Sequence, residues 1–271
     1  MSGEGLRAER SWVAPLRGAL ALSGLLLWLL FLVPPVWSWV GRYEFVQAMQ
    51  FAVFAFGVPV LLVSGAPWAR LGLASGEHHH LSEDGEWVST LRVLTIDRLA
   101  LSRVRSSRQL RAVFVGGAFI ALTVFWRVAP IVDFVVRHPW MVVVESLTLV
   151  VGGVVTFTFL VESPPMTPAT SRPYRICIST AIMWGAWVVA YLDAMSHSSW
   201  YHAFHHVAGQ GVSRSADQQL SAGLIWLISA AVFVPIIFWN LVYWLQSDED
   251  PNAELTQLIR DERTRGFFGT N

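Results

Sequence analysis

The sequence predicts an all-α membrane protein, a bundle of about six transmembrane helices with both termini in the cytoplasm. Three observations predict this: six long apolar stretches, short polar connections between most of them, and arginines concentrated on every second connection. A stretch of about 20 apolar residues crosses the hydrocarbon core as a helix. Because lipid offers no partners to backbone polar groups, such stretches are helical or form a closed barrel, and these are too long and continuous for barrel strands.

The composition supports the membrane class and excludes others. Of the 271 residues, 54% are hydrophobic and only 14% are charged, whereas soluble domains carry about 25% charged residues. The formal net charge is zero, which gives no basis for a nucleic-acid partner. The single Cys177 excludes an intramolecular disulfide and a Cys-x-x-Cys site. The 14 Trp are typical of a membrane protein with aromatic belts at its interfaces.

The apolar stretches divide the chain into a cytoplasmic tail (1–17), a transmembrane domain (18–246) and a second cytoplasmic tail (247–271). Pro34-Pro35 is expected to end the first span, and Pro130 to interrupt the third. The predicted spans are Gly18–Trp39, Phe45–Val63, Ala112–Val136, Trp140–Leu160, Ile176–Met195 and Leu220–Leu245.

The arginines predict the orientation of the bundle. Most of the 19 basic residues, all of them arginine, lie in the two tails and in the second and fourth connections. The opposite connections hold only Arg42, Arg137 and Arg214. The positive-inside rule therefore places both termini, and the long loop 65–111, in the cytoplasm. The pattern of the second half of that loop, Trp87–Leu110, is equally consistent with an amphipathic surface helix and with a solvated linker.

The outer connection between the fifth and sixth spans is rich in histidine and is a candidate metal site. On an α-helix, His202, His205 and His206 would share one face, the spacing that a metal ion needs from one element. Imidazole suits Zn, Cu or Ni, and the nearby Met195 thioether adds a preference for Cu(I). The alternative is a histidine-rich loop at headgroup level that binds nothing specific. The complete candidate set is His138, His197, His202, His205 and His206.

Two charged residues inside spans, Arg127 and Glu145, indicate a polar site within the bundle, because intramembrane charges are costly and often functional. Each lies nine positions from Val136 in the hairpin between spans three and four. An ion pair between them is therefore one prediction, and snorkelling of Arg127 to the surface is its alternative. Asp217, at the start of the last span, is expected to cap free N–H groups. The predicted polar pocket comprises Gln47, Arg127, Glu145, Asp217, Gln218 and Gln219.

Three stretches resemble the CtaG-type cytochrome c oxidase assembly factors. The first is Pro59-x-Leu61-Leu62-x-x-Gly65-Ala66-Pro67, at the end of the second span. The second is Trp126-Arg127-x-x-Pro130, followed by Asp133, Pro139 and Glu145. The third, and the most specific, is Asp217-Gln218-Gln219-Leu220-x-x-Gly223-x-x-Trp226. Together they cover most of the region from Phe45 to Leu245.

The resemblance implies a non-catalytic accessory role in the maturation of a haem-copper oxidase, in the plasma membrane of an aerobic prokaryote. It implies oxidase subunits and the lipid bilayer as partners, and copper handled at the outer side. The chain departs from the family at the positions where histidine pairs are typical. Those positions hold Gln47, Phe51, Arg127, Val142 and Ser146, so the resemblance implies the fold more strongly than the copper chemistry.

Other function classes have weaker support in the sequence. A small transporter or channel would use the intramembrane polar residues, but inverted repeats, which would favour it, are not evident. A scaffold that binds no metal is the other alternative. A membrane enzyme is disfavoured because the sequence contains neither G-x-S-x-G nor His-Glu-x-x-His.

Overall fold

The computed structural model describes residues 3–70, 105–163, 168, 170–195, 200–207 and 211–246. Within this part of the chain the regular structure is helical, without β-strands. The helices are α1 (Gly3–Phe31), α2 (Pro34–Val40), α3 (Glu44–Ala52), α4 (Val58–Gly65), α5 (Pro67–Arg70), α6 (Arg105–Trp126), α7 (Ala129–Arg137), α8 (Met141–Leu160), α9 (Arg172–Met195) and α10 (Arg214–Gln246). A π-helical turn (Val53–Gly57) joins α3 to α4, and a 3₁₀-helix (His202–Val207) precedes α10.

The predicted all-α transmembrane bundle is confirmed. Among the described residues, five helical stretches are long and apolar enough to cross a membrane: Glu44–Gly65, Gln109–Trp126, Met141–Leu160, Arg172–Met195 and Arg214–Gln246. A sixth arises if α1 and α2, which are bent by 63° relative to one another, count as one broken span. The side of the membrane that each terminus faces stays a prediction.

Prolines divide two of the predicted spans into separate helices. The first predicted span, Gly18–Trp39, is broken after Phe31, and Pro34 opens α2, because proline fits the first turn of a helix and not its interior. The Gln50 amide donates a hydrogen bond to the Phe31 carbonyl at 2.8 Å, which satisfies one acceptor freed by the break. Pro130 likewise lies at the start of α7, so the third predicted span consists of two separate helices, α6 and α7.

Several expectations fall on residues outside the described part. Most of the loop 65–111, including His78-His79-His80, and the tail 247–271 lie there. Of the amphipathic stretch Trp87–Leu110, only its end is described, as the first turns of α6. At the other terminus, α1 begins at Gly3 and thus extends upstream of the predicted start at Gly18.

Small residues let the helices approach closely around α4. A Cβ atom on Gly65 would lie 2.5 Å from the Ala21 backbone nitrogen of α1, and one on Gly153 of α8 would clash with Pro59. Ala66 then ends α4 in the left-handed conformation, with φ of 46°. The stretch from Pro59 to Pro67 therefore has a packing role, in the manner of small-residue contacts between membrane helices.

Aromatic rings fill the centre of the bundle. Phe233 of α10 packs against Phe56 of the π-helical turn and against Phe157 of α8, with ring centroids 5.5 Å apart in both pairs. Phe56 also meets Phe119 of α6 at 6.3 Å. Since these rings come from four different segments, they hold the segments together and fix which helix faces carry the polar residues.

Polar side chains gather at one end of the bundle, where α3 and α10 begin and α6 and α9 end. We call it the polar end and define it by Glu44, Arg127, Asp193 and Asp217, each of which is buried. At the opposite end, Arg172 and Arg175 of α9 both pair with Glu162 at 3.1 Å.

Candidate functional site at the polar end

The break after α6 turns Arg127 into the interior of the bundle. The α-helix stops at Trp126, and Arg127 lies in the turn before α7 with only 2% of its surface exposed. Its Nη1 donates to Oε1 of Gln47 in α3 at 2.5 Å. Its Nη2 donates to Oδ2 of Asp193 in α9 at 3.2 Å and to Oγ of Ser221 in α10 at 3.4 Å. One guanidinium therefore links three helices.

Aromatic rings cover this guanidinium. The Arg127 Cζ lies 4.9 Å from the centroid of Tyr201 and 5.6 Å from that of Phe51, distances at which a cation is attracted to a ring face. The Tyr201 hydroxyl donates to the Arg127 carbonyl at 3.2 Å. Burial raises the pKa of the Tyr201 phenol above its ordinary value, so the phenol keeps the proton that it donates.

Asp217 caps a helix, as expected, but the helix is α3 and not its own. Its two carboxylate oxygens accept hydrogen bonds from the backbone N–H groups of Glu44 (2.9 Å) and Phe45 (3.0 Å). The N-terminus of α10 uses Ser213 instead, whose Oγ accepts from the Ala216 N–H at 3.2 Å. Asp217 thus joins the first turn of α10 to the first turn of α3, where a negative charge complements the helix dipole.

Three further carboxyl groups are buried near Arg127. Glu44, Asp193 and Glu145 are each almost fully buried. Both carboxyl oxygens of Glu145 lack a hydrogen-bond partner among the described residues. Of the three, Asp193 is therefore the ion-pair partner of Arg127, at 3.2 Å.

The predicted ion pair between Arg127 and Glu145 is wrong. Arg127 pairs with Asp193 instead, and both side chains are 1% exposed. The prediction took an equal number of residues from Val136 to mean equal depth in the membrane, and the break at Arg127 removes that basis. Asp193 and Glu44 were not assigned to the pocket from sequence. For Asp193, the available signal in the sequence is an acidic residue close to the end of an apolar span with no basic residue nearby.

The other predicted pocket residues divide between the interior and the surface. Gln47 accepts from Arg127, and the Gln218 amide donates to the Asp193 backbone carbonyl, so both belong to the cluster. Gln219 is exposed, and this part of the prediction is not met. Successive helical residues differ by about 100°, so a helix that turns Gln218 inward carries Gln219 outward.

The segment between α9 and α10 packs over the cluster. Tyr201 and Phe204 are almost fully buried, and they pack with Val132 of α7. The Ala203 backbone N–H donates to Asp133 Oδ1 at 2.9 Å. Asp133, a residue of the second resembling stretch, therefore anchors this segment to α7.

The candidate metal ligands do not form a described metal site. His138 is exposed and stacks on Phe134 with centroids 4.3 Å apart, while His202 is 80% exposed with its Nδ1 3.9 Å from Asp133 Oδ2. The segment is a 3₁₀-helix and not the α-helix from which the shared face was predicted. His197 and the side chains of His205 and His206 lie outside what the structure describes.

Among the described residues, no group of three or more His, Cys, Asp or Glu is placed to hold a metal ion. The cluster around Arg127 also has the wrong chemistry for copper. It offers a guanidinium, carboxyl, amide and hydroxyl groups, whereas copper favours imidazole and sulfur ligands.

Comparison with known proteins connects this architecture to a family. The model of the cytochrome c oxidase caa3 assembly factor family (Caa3_CtaG) matches residues 4–247, nearly the whole chain. Neither a curated protein nor a solved structure gave a match. The matched range includes the helices that carry the polar end. The chain therefore belongs to the family of cytochrome c oxidase caa3 assembly factors.

Proposed function

We propose that this protein is a non-catalytic accessory factor that helps a cytochrome c oxidase to mature in the plasma membrane of a prokaryote. The observation that carries the proposal is the family match over residues 4–247. The partners that we propose are oxidase subunits, met within the bilayer. The buried ionic cluster supports a scaffold role, because it ties α3, α9 and α10 together through Arg127.

The form of the polar end argues against transport through it. The cavity beside Arg127 has a volume of about 10 Å³, room for about one water molecule. Tyr201 and Phe204 pack over the cluster and are almost fully buried. A small-molecule or ion pathway at this site would need a larger, wetter space, so the polar residues support structure better than conduction.

Copper insertion is the finer form of this proposal, with copper as cargo. The donor groups that we assign to it are the histidines at the polar end: His138, His197, His202, His205 and His206. The exposed His202 imidazole beside the Asp133 carboxylate supports this assignment, since metal-binding histidines are commonly oriented by a carboxylate.

Metal analysis of the purified protein tests the copper part. Wild-type protein incubated with Cu(I) should retain copper, and replacement of His202, His205 and His206 by Ala should remove it. Replacement of His78, His79 and His80 by Ala is the matched control and should leave the copper content unchanged. Wild-type protein that retains no copper would exclude the copper part and leave a scaffold.

Deletion of the gene tests the assembly role itself. We expect the deleted strain to show reduced oxidase absorption and activity, and the full-length chain supplied in trans to restore both. Oxidase that is unaltered in the deleted strain, under copper limitation as well as in rich medium, would contradict the proposal.

A further inference from the structure

Exposed tryptophans lie near the middle of the membrane. Trp184 is 12 residues from the start and 11 from the end of α9, which places it about 17 Å from either end at 1.5 Å per residue. The hydrocarbon core is about 30 Å thick. Trp184 is therefore near mid-depth with 55% of its surface exposed, whereas tryptophan in membrane proteins is enriched at the two interfaces.

Three indole rings form a continuous surface across α9 and α10. Trp187 stands between the others, with its ring centroid 5.4 Å from Trp184 and 4.7 Å from Trp226. Its indole N–H donates to Ser229 Oγ at 3.0 Å. The indole N–H groups of Trp184 and Trp226 have no acceptor in the described part of the chain. Lipid supplies none either, so both donors are unsatisfied at a depth where that is costly.

Beside these rings lies a glycine, Gly223, that no close contact with the described residues requires. Gly223 is exposed, one turn before Trp226, and a Cβ atom placed on it would meet nothing within 4 Å. Glycine weakens a helix relative to alanine, and no described neighbour in this chain occupies the space beside Gly223. In membranes, small residues at the helix surface let the backbone of another helix approach closely. We name Trp184, Trp187, Gly223 and Trp226 the tryptophan patch.

We propose that the tryptophan patch docks one membrane-spanning helix of an oxidase subunit, a helix that presents hydrogen-bond acceptors at mid-depth. This inference rests on the proposed function and names its contact surface. Acyl chains offer no acceptor to the two indole N–H groups. A second copy of the chain, meeting the patch through a two-fold axis, would bring indole donors against indole donors. A helix of a different protein can supply the hydrogen-bond acceptors that neither lipid nor a second copy offers. Trp is also enriched among the residues that dominate binding at protein interfaces.

Site-specific photocrosslinking in cells tests this surface. A benzoylphenylalanine at Leu227, which is 65% exposed and one turn after Gly223, leaves the patch itself intact. The matched control position is Val151 of α8, which is 53% exposed on another face. We expect irradiation to join an oxidase subunit to position 227 and not to position 151, as identified by mass spectrometry of the purified adduct.

A second substitution separates docking from folding. Gly223→Leu should lower the adduct yield about tenfold, equivalent to about 1.4 kcal/mol of binding. Its yield of folded protein should be unchanged because, outside its own turn of helix, no described atom lies within 4 Å of a Cβ at this position. Val151→Leu is the control and should keep the adduct. An unchanged adduct yield in Gly223→Leu overturns the docking geometry.

The identity of the adduct decides the remaining outcomes. Adducts with lipid alone, with a second copy alone or with an unrelated protein alone overturn the proposal. If gene deletion impairs the oxidase but position 227 captures no oxidase subunit, the docking surface is wrong and the assembly role stands. If deletion leaves the oxidase unaltered, the assembly role fails whatever the crosslinking shows.

Discussion

Arg127 makes hydrogen bonds to four residues that lie in different segments of the chain. Its guanidinium reaches Gln47, Asp193 and Ser221, and its carbonyl accepts from Tyr201. A planar fork with several donors can serve partners in different directions, which a lysine ammonium cannot reproduce. The residue therefore determines how α3, α9 and α10 meet at the polar end.

Removal of Arg127 should be costly mainly because of the charge that it leaves behind. Arg127→Met abandons the buried Asp193 carboxylate, and the expected loss of stability is about 3–5 kcal/mol. Adding Asp193→Leu removes that charge and should recover a large part of the loss, since apolar replacement of a buried pair is often neutral. Thermal unfolding in detergent measures both. A double variant no more stable than the single one would contradict the pairing.

Glu145 and Asp193 should respond differently when the carboxyl group is replaced by an amide. Glu145 has no hydrogen-bond partner among the described residues, so Glu145→Gln breaks no hydrogen bond and should change stability by less than about 1 kcal/mol. Asp193→Asn weakens the ion pair with Arg127 and should cost about 2 kcal/mol, as hydrogen bonds to charged groups do. The same unfolding assay compares them. Equal losses would restore the Arg127–Glu145 ion pair that the sequence alone suggests.

At the scale of elements, the contact between α10 and α3 depends on one carboxylate. Asp217→Ala leaves two N–H groups of α3 without acceptors, and loss of an N-cap costs about 0.5–2 kcal/mol. Asp217→Asn keeps one acceptor oxygen, so its stability should lie between that of the wild type and that of Asp217→Ala. Ser213→Ala, which uncaps α10 at an exposed position, is the control for a cap without an interhelical role. If Ser213→Ala is the more destabilising change, the bridging role of Asp217 is wrong.

The sequence predicted the elements better than the contacts between them. Apolar length determines a span independently of its neighbours, and the prolines at 34 and 130 mark both breaks. Partner choice depends instead on the direction in which a break turns the chain, so the sequence predicts Glu145 as the partner of Arg127 whereas the structure has Asp193. The sequence places Asp217, Gln218 and Gln219 together in the polar pocket. Which of them face the interior depends on how α10 is rotated about its axis, and in the packed bundle Gln219 is exposed.

The same limit applies to the segment between α9 and α10. Its histidine spacing suggested an α-helical metal face, yet Tyr201 and Phe204 are the residues that determine its position. Burying these two rings over the cluster outweighs any helix propensity in so short a segment. The aromatic residues were visible in the sequence, but their role depended on a partner surface on α7 that only the fold creates.

At the scale of the molecule, the two ends of the bundle have opposite character. The polar end buries its ionic groups, whereas Arg172 and Glu162 at the other end pair at a partly exposed surface. The arginine distribution predicts that this second end is cytoplasmic. The histidine-bearing segment and the Arg127 cluster would then lie together on the outer side, where the proposed copper cargo would be received.

Cysteine labelling tests that orientation without changing the fold. Cys177 is the only cysteine in the chain, so Cys177→Ser provides a cysteine-free background. In this background, His202→Cys, at a position 80% exposed, should react with a membrane-impermeant maleimide in intact cells. Gln246→Cys, exposed at the other end of α10, should react only after the membrane is opened. The reverse pattern would invert the bundle and move the histidines to the cytoplasm, and the copper-receiving role would then fail even if the assembly role survived.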